Sequence, residues 1–269
     1  MWRFGFRLLL VTLLGTVVAV TLWMGRPSVA LLGACALALG VAMAVAVIFP
    51  NLGVFGRVLQ RGQPGRNLVA LTFDDGPSPA TTPRVLELLE ARELHATFFV
   101  IGSKAAQSPD LVRRILQGGH ELACHGYVHR RPYAASSRGA VEADLRRAVQ
   151  LLTSLTGQRP RWFRPPMGHV SPAVFAGAAR VGLPIVTWTA RALDGVSAAS
   201  EARIAHRVLR DLSDGGIAML HDASEREGFA PASLDALPRI LDELQARGLR
   251  CVTLSELLGE RGELALTRG

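Results

Sequence analysis

Leu68-Val69-Ala70-Leu71-Thr72-Phe73-Asp74-Asp75-Gly76-Pro77 decides the reading of this chain. Leu68–Phe73 reads as a strand, and it closes on two adjacent carboxylates. Such a pair in an apolar setting repels, and it is costly to bury unless a cation or hydrogen-bond donors compensate. Successive strand side chains diverge, so one carboxylate can hold a metal while the other faces a different group. A turn or helix-cap aspartate is the plainer reading of the same residues.

Outward from this strand, β-type runs recur at Ala96–Ile101, Glu121–His125, Trp162–Arg164, Pro184–Thr189, Ile217–His221 and Cys251–Leu254. Amphipathic stretches separate them, among them Pro83–Arg92 and Ala140–Leu155. Strand-helix alternation predicts parallel strands with helices outside, as an α/β barrel or a doubly wound sheet. No repeat, coiled coil or low-complexity segment interrupts it. Gly-rich nucleotide and phosphate-loop patterns are absent, so nucleotide chemistry loses support.

Polar constellations fall at the C-terminal ends of these runs, where a parallel α/β barrel carries its site. His125-Gly126-Tyr127-Val128-His129 spaces two imidazoles by four, which converge on one cation if the segment forms a helical turn. Joined by Asp75, they make a three-ligand set with open positions, the pattern of a catalytic metal centre. Cys124 points away from His125 by strand alternation and reads as a buried apolar cysteine. Arg164-Pro165-Pro166-Met167-Gly168 is a stiffened loop whose arginine can orient a carboxylate. Trp188, Asp194 and His221-Asp222 complete the series.

TFDDGP, HxxxH, RPPxG and LHD, in this order over Leu68 to about Leu258, resemble the polysaccharide deacetylase family, also called NodB-homology or carbohydrate esterase family 4. The resemblance implies a distorted (β/α) barrel of about seven strands that hydrolyses an N-acetyl or related acyl group from an amino sugar. It implies one divalent metal, zinc by first expectation with cobalt, nickel or manganese as substitutes, held by Asp75, His125 and His129. Asp74 would be the base that deprotonates the attacking water, and His221 the acid that protonates the leaving amine. Asp194 would keep His221 charged, and Arg164 would hold Asp74. The Met167 N–H, after Pro166, would face the oxyanion. Two departures from the family pattern stand out. Gly126 replaces a hydroxyl residue that braces the loop. Arg191-Ala192-Leu193-Asp194-Gly195 lacks the first Asp and the Trp of the fourth motif; that Trp commonly lines the acyl pocket in the family, so the resemblance implies no particular acyl group or sugar, and Trp188 is a substrate-side candidate.

The remaining organisation comes from charge and hydropathy. The chain has 269 residues and a net charge of +8, carried almost wholly by arginine, since Lys104 is the only lysine. Arg3, Arg7, Arg26, Arg57, Arg61 and Arg66 precede any acidic residue, and removing these six leaves +2 for everything after Arg66. Basicity therefore flanks apolar runs instead of forming a groove, which argues against nucleic acid. Three cysteines exclude a disulfide framework.

Residues 8–24 and 29–49 are each near the length a helix needs to span hydrocarbon. We read residues 1–56 as a two-helix membrane hairpin, 57–67 as a linker, 68–260 as the catalytic domain and 261–269 as a tail. A cleaved signal peptide is the alternative for the first run. Alanines at 30, 34, 38, 42 and 46 form a small-residue face for the first span or a second copy. With two spans, the arginine distribution places both ends in the cytoplasm, whereas the family habit is extracytoplasmic. A cytoplasmic site suits a lipid-linked glycan or glycolipid; an external one suits cell wall or extracellular polysaccharide. O-acetyl ester hydrolysis on the same framework is an alternative chemistry. An inactive, membrane-tethered glycan-binding or scaffold protein is an alternative class, and it predicts losses among the metal and acid-base residues.

Overall fold

The computed structural model describes residues 12, 15–21, 23, 29–194, 200–224 and 229–259. A 20-residue helix, α1 (Val29–Ile48), precedes an α/β domain. The domain runs β1 (Leu68–Asp74), α2 (Thr82–Glu90), β2 (Thr97–Val100), α3 (Gly102–Gln107), α4 (Pro109–Gln117) and β3 (Glu121–Cys124). It continues with α5 (Arg138–Thr156), α6 (Pro172–Val181), β4 (Ala190–Arg191), α7 (Glu201–Asp211) and β5 (Ile217–His221). Then come α8 (Ser233–Ala246), β6 (Arg250–Cys251) and α9 (Leu254–Leu258).

All strand pairs are parallel, in the order β3-β2-β1-β5-β4, with β6 beside β1. β1 is buried along its whole length because it is central and helices cover it, as strand-helix alternation requires. Phe73 stacks on Phe98 of the neighbouring strand with ring centroids 5.1 Å apart. Burying each such ring stabilises the domain by roughly 1.5–3 kcal/mol. On the outside, Ser137 caps α5 by accepting from the Ala140 amide, and Ser171 caps α6 through the Val174 amide, with Pro172 in its first turn.

Two of the expected strands shrink to single bridges. Phe163 pairs with Cys124 and with Ile185, and Val186 pairs with Leu59. Pro160, Pro165, Pro166 and Pro184 flank these positions and have no N–H to extend a ladder. A short strand absent from the sequence reading, β4, forms instead just beyond Thr189. Cys251–Leu254 is likewise split, with β6 ending at Cys251 and Thr253 capping α9 through the Glu256 amide.

Residues 57–67, expected as a linker, are bound into the domain. Leu59 bridges Val186 on one side, and Arg61 bridges Gly216 on the other. Leu59 donates to the Ile185 carbonyl at 2.8 Å and accepts from Thr187 at 2.7 Å. This segment closes the gap between the Phe163–Ile185 side and β5, which makes the sheet a distorted barrel.

At the N-terminus the expected hairpin is not confirmed. Described positions 12, 15–21 and 23 are helical, but the connector between the two runs, residues 25–28, lies outside the described residues. Among the described residues α1 is the one helix long and apolar enough to cross a membrane, and length and composition alone do not separate a span from a signal sequence. The tail at 261–269 also lies outside them.

Candidate active site

The barrel register sets two carboxylate and imidazole positions side by side, since Asp74 of β1 pairs with His221 of β5. Asp75 then leaves the strand at φ 72, a left-handed conformation that non-glycine residues seldom adopt. That kink breaks the alternation, and both carboxylates end up buried on the same end of the sheet with different partners.

Asp74 faces Arg164. The Nη1 of Arg164 donates to Asp74 Oδ1 at 2.6 Å and to Thr72 Oγ1 at 2.8 Å, and its Nη2 donates to the Thr187 carbonyl at 3.2 Å. The guanidinium is fully buried, 4.1 Å from the Phe99 ring centroid and 5.6 Å from that of Trp188. Burial lowers its pKa and Asp74 opposes that, yet a guanidinium stays charged. One oxygen of Asp74 is therefore committed to the buried guanidinium.

Asp75 faces the two histidines. Its Oδ1 lies 3.3 Å from His125 Nε2 and 3.5 Å from His129 Nε2. His125 Nδ1 sits 2.7 Å from the Arg164 carbonyl, which can only accept, so that nitrogen carries the proton. In the neutral ring the lone pair on Nε2 is then aimed at Asp75. Asp75 Oδ1 is buried and accepts no hydrogen bond. Lone pairs converging on one dry point repel unless a cation lies between them. Separations of 3.3–3.5 Å also suit ligands about 2.1 Å from a shared tetrahedral ion, whose ligand-ligand edge is about 3.4 Å. Asp75, His125 and His129 thus fit a divalent metal. Burial pushes the Asp75 carboxyl up, but His125, His221 and His129 in their protonated forms outweigh burial and hold it below the usual carboxylate range, a role that a bound cation would take over beside neutral imidazoles.

The histidines do not converge through a helical turn, as their spacing suggested. His125 still follows the strand, its amide bonded to the Val100 carbonyl, and Gly126 at φ 85 turns the chain into a bend. Asp144, on α5, holds that bend by accepting from the amides of Tyr127 and Val128 at 3.0 and 3.2 Å and from the Tyr133 hydroxyl at 3.1 Å. A side chain at Gly126 would meet this carboxylate. The bend is thus braced from α5, with no hydroxyl at position 126. Nothing local announced Asp144, because an acidic residue on an amphipathic helix reads as a solvated face. Cys124 is fully buried, its thiol pushed up to about 12 by burial, and it lies outside the ligand group.

His221 is gripped by Asp194, which binds its Nδ1 at 2.8 Å and its backbone amide at 3.0 Å. Asp194 is fully buried and follows Leu193, which has φ 58, so β4 delivers it despite the altered fourth motif. Burial disfavours the His221 cation, but Asp194 and then Asp75 and Asp74 raise its pKa to about 9. His221 Nε2 is 4.0 Å from Asp75 Oδ2, which leaves it facing the ligand group. Pro166 is buried, and Met167 has φ 61 with its side chain exposed. The half-buried Trp188 ring packs on Gly168, where φ is +69 and a side chain would overlap the indole.

Two further residues join the site. Asp222 is buried, accepts from Thr82 Oγ1 at 2.5 Å, and has its carboxyl raised to about 7 by burial. Lys104 donates to the backbone carbonyls of Asp75 at 2.7 Å and Ser224 at 3.2 Å, pinning the turn after β1. Its being the sole lysine was the available signal.

Comparison with known proteins finds relatives in sequence and in fold. A family model described as polysaccharide deacetylase matches residues 61–186. A peptidoglycan-N-acetylglucosamine deacetylase of Bacillus cereus is 37% identical over 194 residues, covering 71% of this chain and 88% of that protein. A chitooligosaccharide deacetylase of Bradyrhizobium is 36% identical over 203 residues, covering 72% and 91%. Among solved structures, a family 4 acetyl xylan esterase from Clostridium thermocellum in complex with a cobalt ion superimposes with a TM-score of 0.65. It is 32% identical and covers 71% of this chain and 89% of its own.

Proposed function

The chain belongs to the polysaccharide deacetylase family, and from that premise we propose that it is a divalent-metal hydrolase removing N-acetyl groups from an amino-sugar glycan. The observation that carries the proposal is the dry convergence of Asp75, His125 and His129 beside Asp74 and a charged His221. Bound there, a divalent ion supplies Lewis-acid polarisation of the acyl carbonyl and a nucleophile at neutral pH. Zinc suits two imidazoles and a carboxylate, and cobalt, nickel or manganese substitute in the same donor set.

The chain's own groups supply the proton transfers. Asp74, held in place by Arg164, takes a proton from the attacking water. His221, kept protonated by Asp194, gives one to the leaving nitrogen, and an amine leaves only when protonated. The Met167 amide donates to the oxyanion. Trp188, on Gly168, borders the acyl group in place of the missing fourth-motif tryptophan. Asp74, Asp75, His125, His129 and His221, the groups assigned these roles, are all retained, which disfavours an inactive scaffold. Ester hydrolysis remains the second reading, favoured by the likeness to the acetyl xylan esterase.

α1 is proposed to be a retained membrane anchor. Ala46 is buried and the Val47 carbonyl accepts from Val170, so removing α1 would expose part of the domain. Residues 57–67 close the barrel, so the functional unit begins before Leu68.

The test is acetate release from N-acetylated chitooligosaccharides by the purified full chain, before and after chelation and after adding back zinc or cobalt. Release that survives complete metal removal would refute the proposal.

A further inference from the structure

We propose that the mouth of this site lies against the surface of the bilayer that α1 crosses, and that the glycan it deacetylates is carried on a membrane lipid. The inference rests on the deacetylase and anchor readings above.

α1 is about 30 Å long at 1.5 Å per residue, the thickness of a hydrocarbon core. Of its residues only Ala46 is buried, so the helix leaves the domain at that point. The join is made at the catalytic end of the barrel. The Val47 carbonyl accepts from the amide of Val170, two residues beyond Gly168. Just past the helix, Asn51 accepts from Thr187 Oγ1 at 2.6 Å and donates to the Trp188 carbonyl at 3.2 Å. Trp188 covers Gly168 and borders Arg164, the partner of Asp74. Contacts thus pass without a gap from the end of the membrane helix to the proposed base.

The rim agrees with that placement. Ile48 and Phe49, at the end of α1, are 49% and 57% exposed. Beyond them, the exposed large apolar side chains among the described residues are Val128 and Met167. Val128 precedes the ligand His129, and Met167 lies in the oxyanion loop, so both stand at the same end as the join. Arg130 follows on the surface beside Val128. Apolar side chains with an adjacent arginine match a headgroup layer, where the first are covered and the second meets lipid phosphate. A site held in that layer receives a sugar presented by its lipid carrier more readily than one in free solution.

The test uses the full chain in phospholipid vesicles. Single sites Val128→Cys, Met167→Cys and Gln117→Cys, on a Cys35→Ala background, carry a bimane fluorophore, and the quencher is a phospholipid with a nitroxide headgroup. Gln117 ends α4 at the opposite end of the sheet and is exposed. Quenching at 128 and 167 at least threefold that at 117 is expected; equal quenching, or more at 117, overturns the proposal. In the same vesicles, kcat/KM for N-acetylglucosamine on a polyprenyl diphosphate should exceed that for soluble chitotetraose at least tenfold; equal values overturn the substrate claim. Failure to float with alkali-washed vesicles would refute the anchor, and with it the inference. Inactivity on both sugars in detergent would refute the deacetylase reading, while the quenching result still decides the orientation.

Discussion

Asp194→Asn should convert a nearly pH-independent general acid into a pH-limited one. In the native site His221 titrates at about 9 although burial disfavours its charge, because Asp194 lies 2.8 Å from Nδ1. Asparagine keeps the shape and one acceptor but removes the charge, so the His221 pKa falls toward the ordinary 6.5, which sets the full size of the effect. That difference is a few hundred-fold in proton affinity, or about 3 kcal/mol. At pH 8 the protonated fraction drops from about 0.9 to about 0.03, whereas at pH 6 it drops only from about 1 to about 0.8. Turnover should therefore fall about thirtyfold at pH 8 and less than twofold at pH 6. The sign is fixed: a raised imidazole pKa supports activity below it, and the support is lost as pH rises. The assay is kcat against pH from 5.5 to 9.5 with saturating metal. A uniform loss across that range, or a basic limb still near 9, would refute the reasoning.

Asp74→Asn should retain bound metal, measured by elemental analysis after dialysis, yet lose turnover by at least a hundredfold. His125→Ala should lose both, since it removes a proposed ligand and also the bond to the Arg164 carbonyl. Arg164→Met leaves Asp74 buried without its cation and should destabilise the fold by about 3–5 kcal/mol, read as the shift of the unfolding midpoint in denaturant. The double variant Arg164→Met with Asp74→Asn should recover part of that loss; no recovery would mean the pair does not act through charge. Asp144→Ala should weaken metal binding more than it lowers thermal stability, because its acceptors hold the bend between the two histidines.

The sequence by itself determined the central strand, its closing carboxylates and the order in which polar groups appear at strand ends. Those features are local: β1 and β5 were legible because an apolar run ending in Asp or His carries its own pattern, and Ile217–His221 forms as read. The ligand types were equally legible, since Asp75, His125 and His129 are chemically fit for a metal wherever the chain places them. What tertiary structure alone decided is convergence. Residues 164 and 74 meet only because β1 and the Phe163 bridge share one barrel, and Asp144 reaches the histidine bend only because α5 packs against it. Prolines that stop a ladder left Trp162–Arg164 and Pro184–Thr189 as bridges, an outcome that depends on partners and not on propensity. The same holds for residues 57–67, whose polar, Gly-rich composition reads as a spacer. They close the barrel because Ile185, Thr187 and Gly215 exchange backbone hydrogen bonds with them, and no sequence window contains both sides of those bonds.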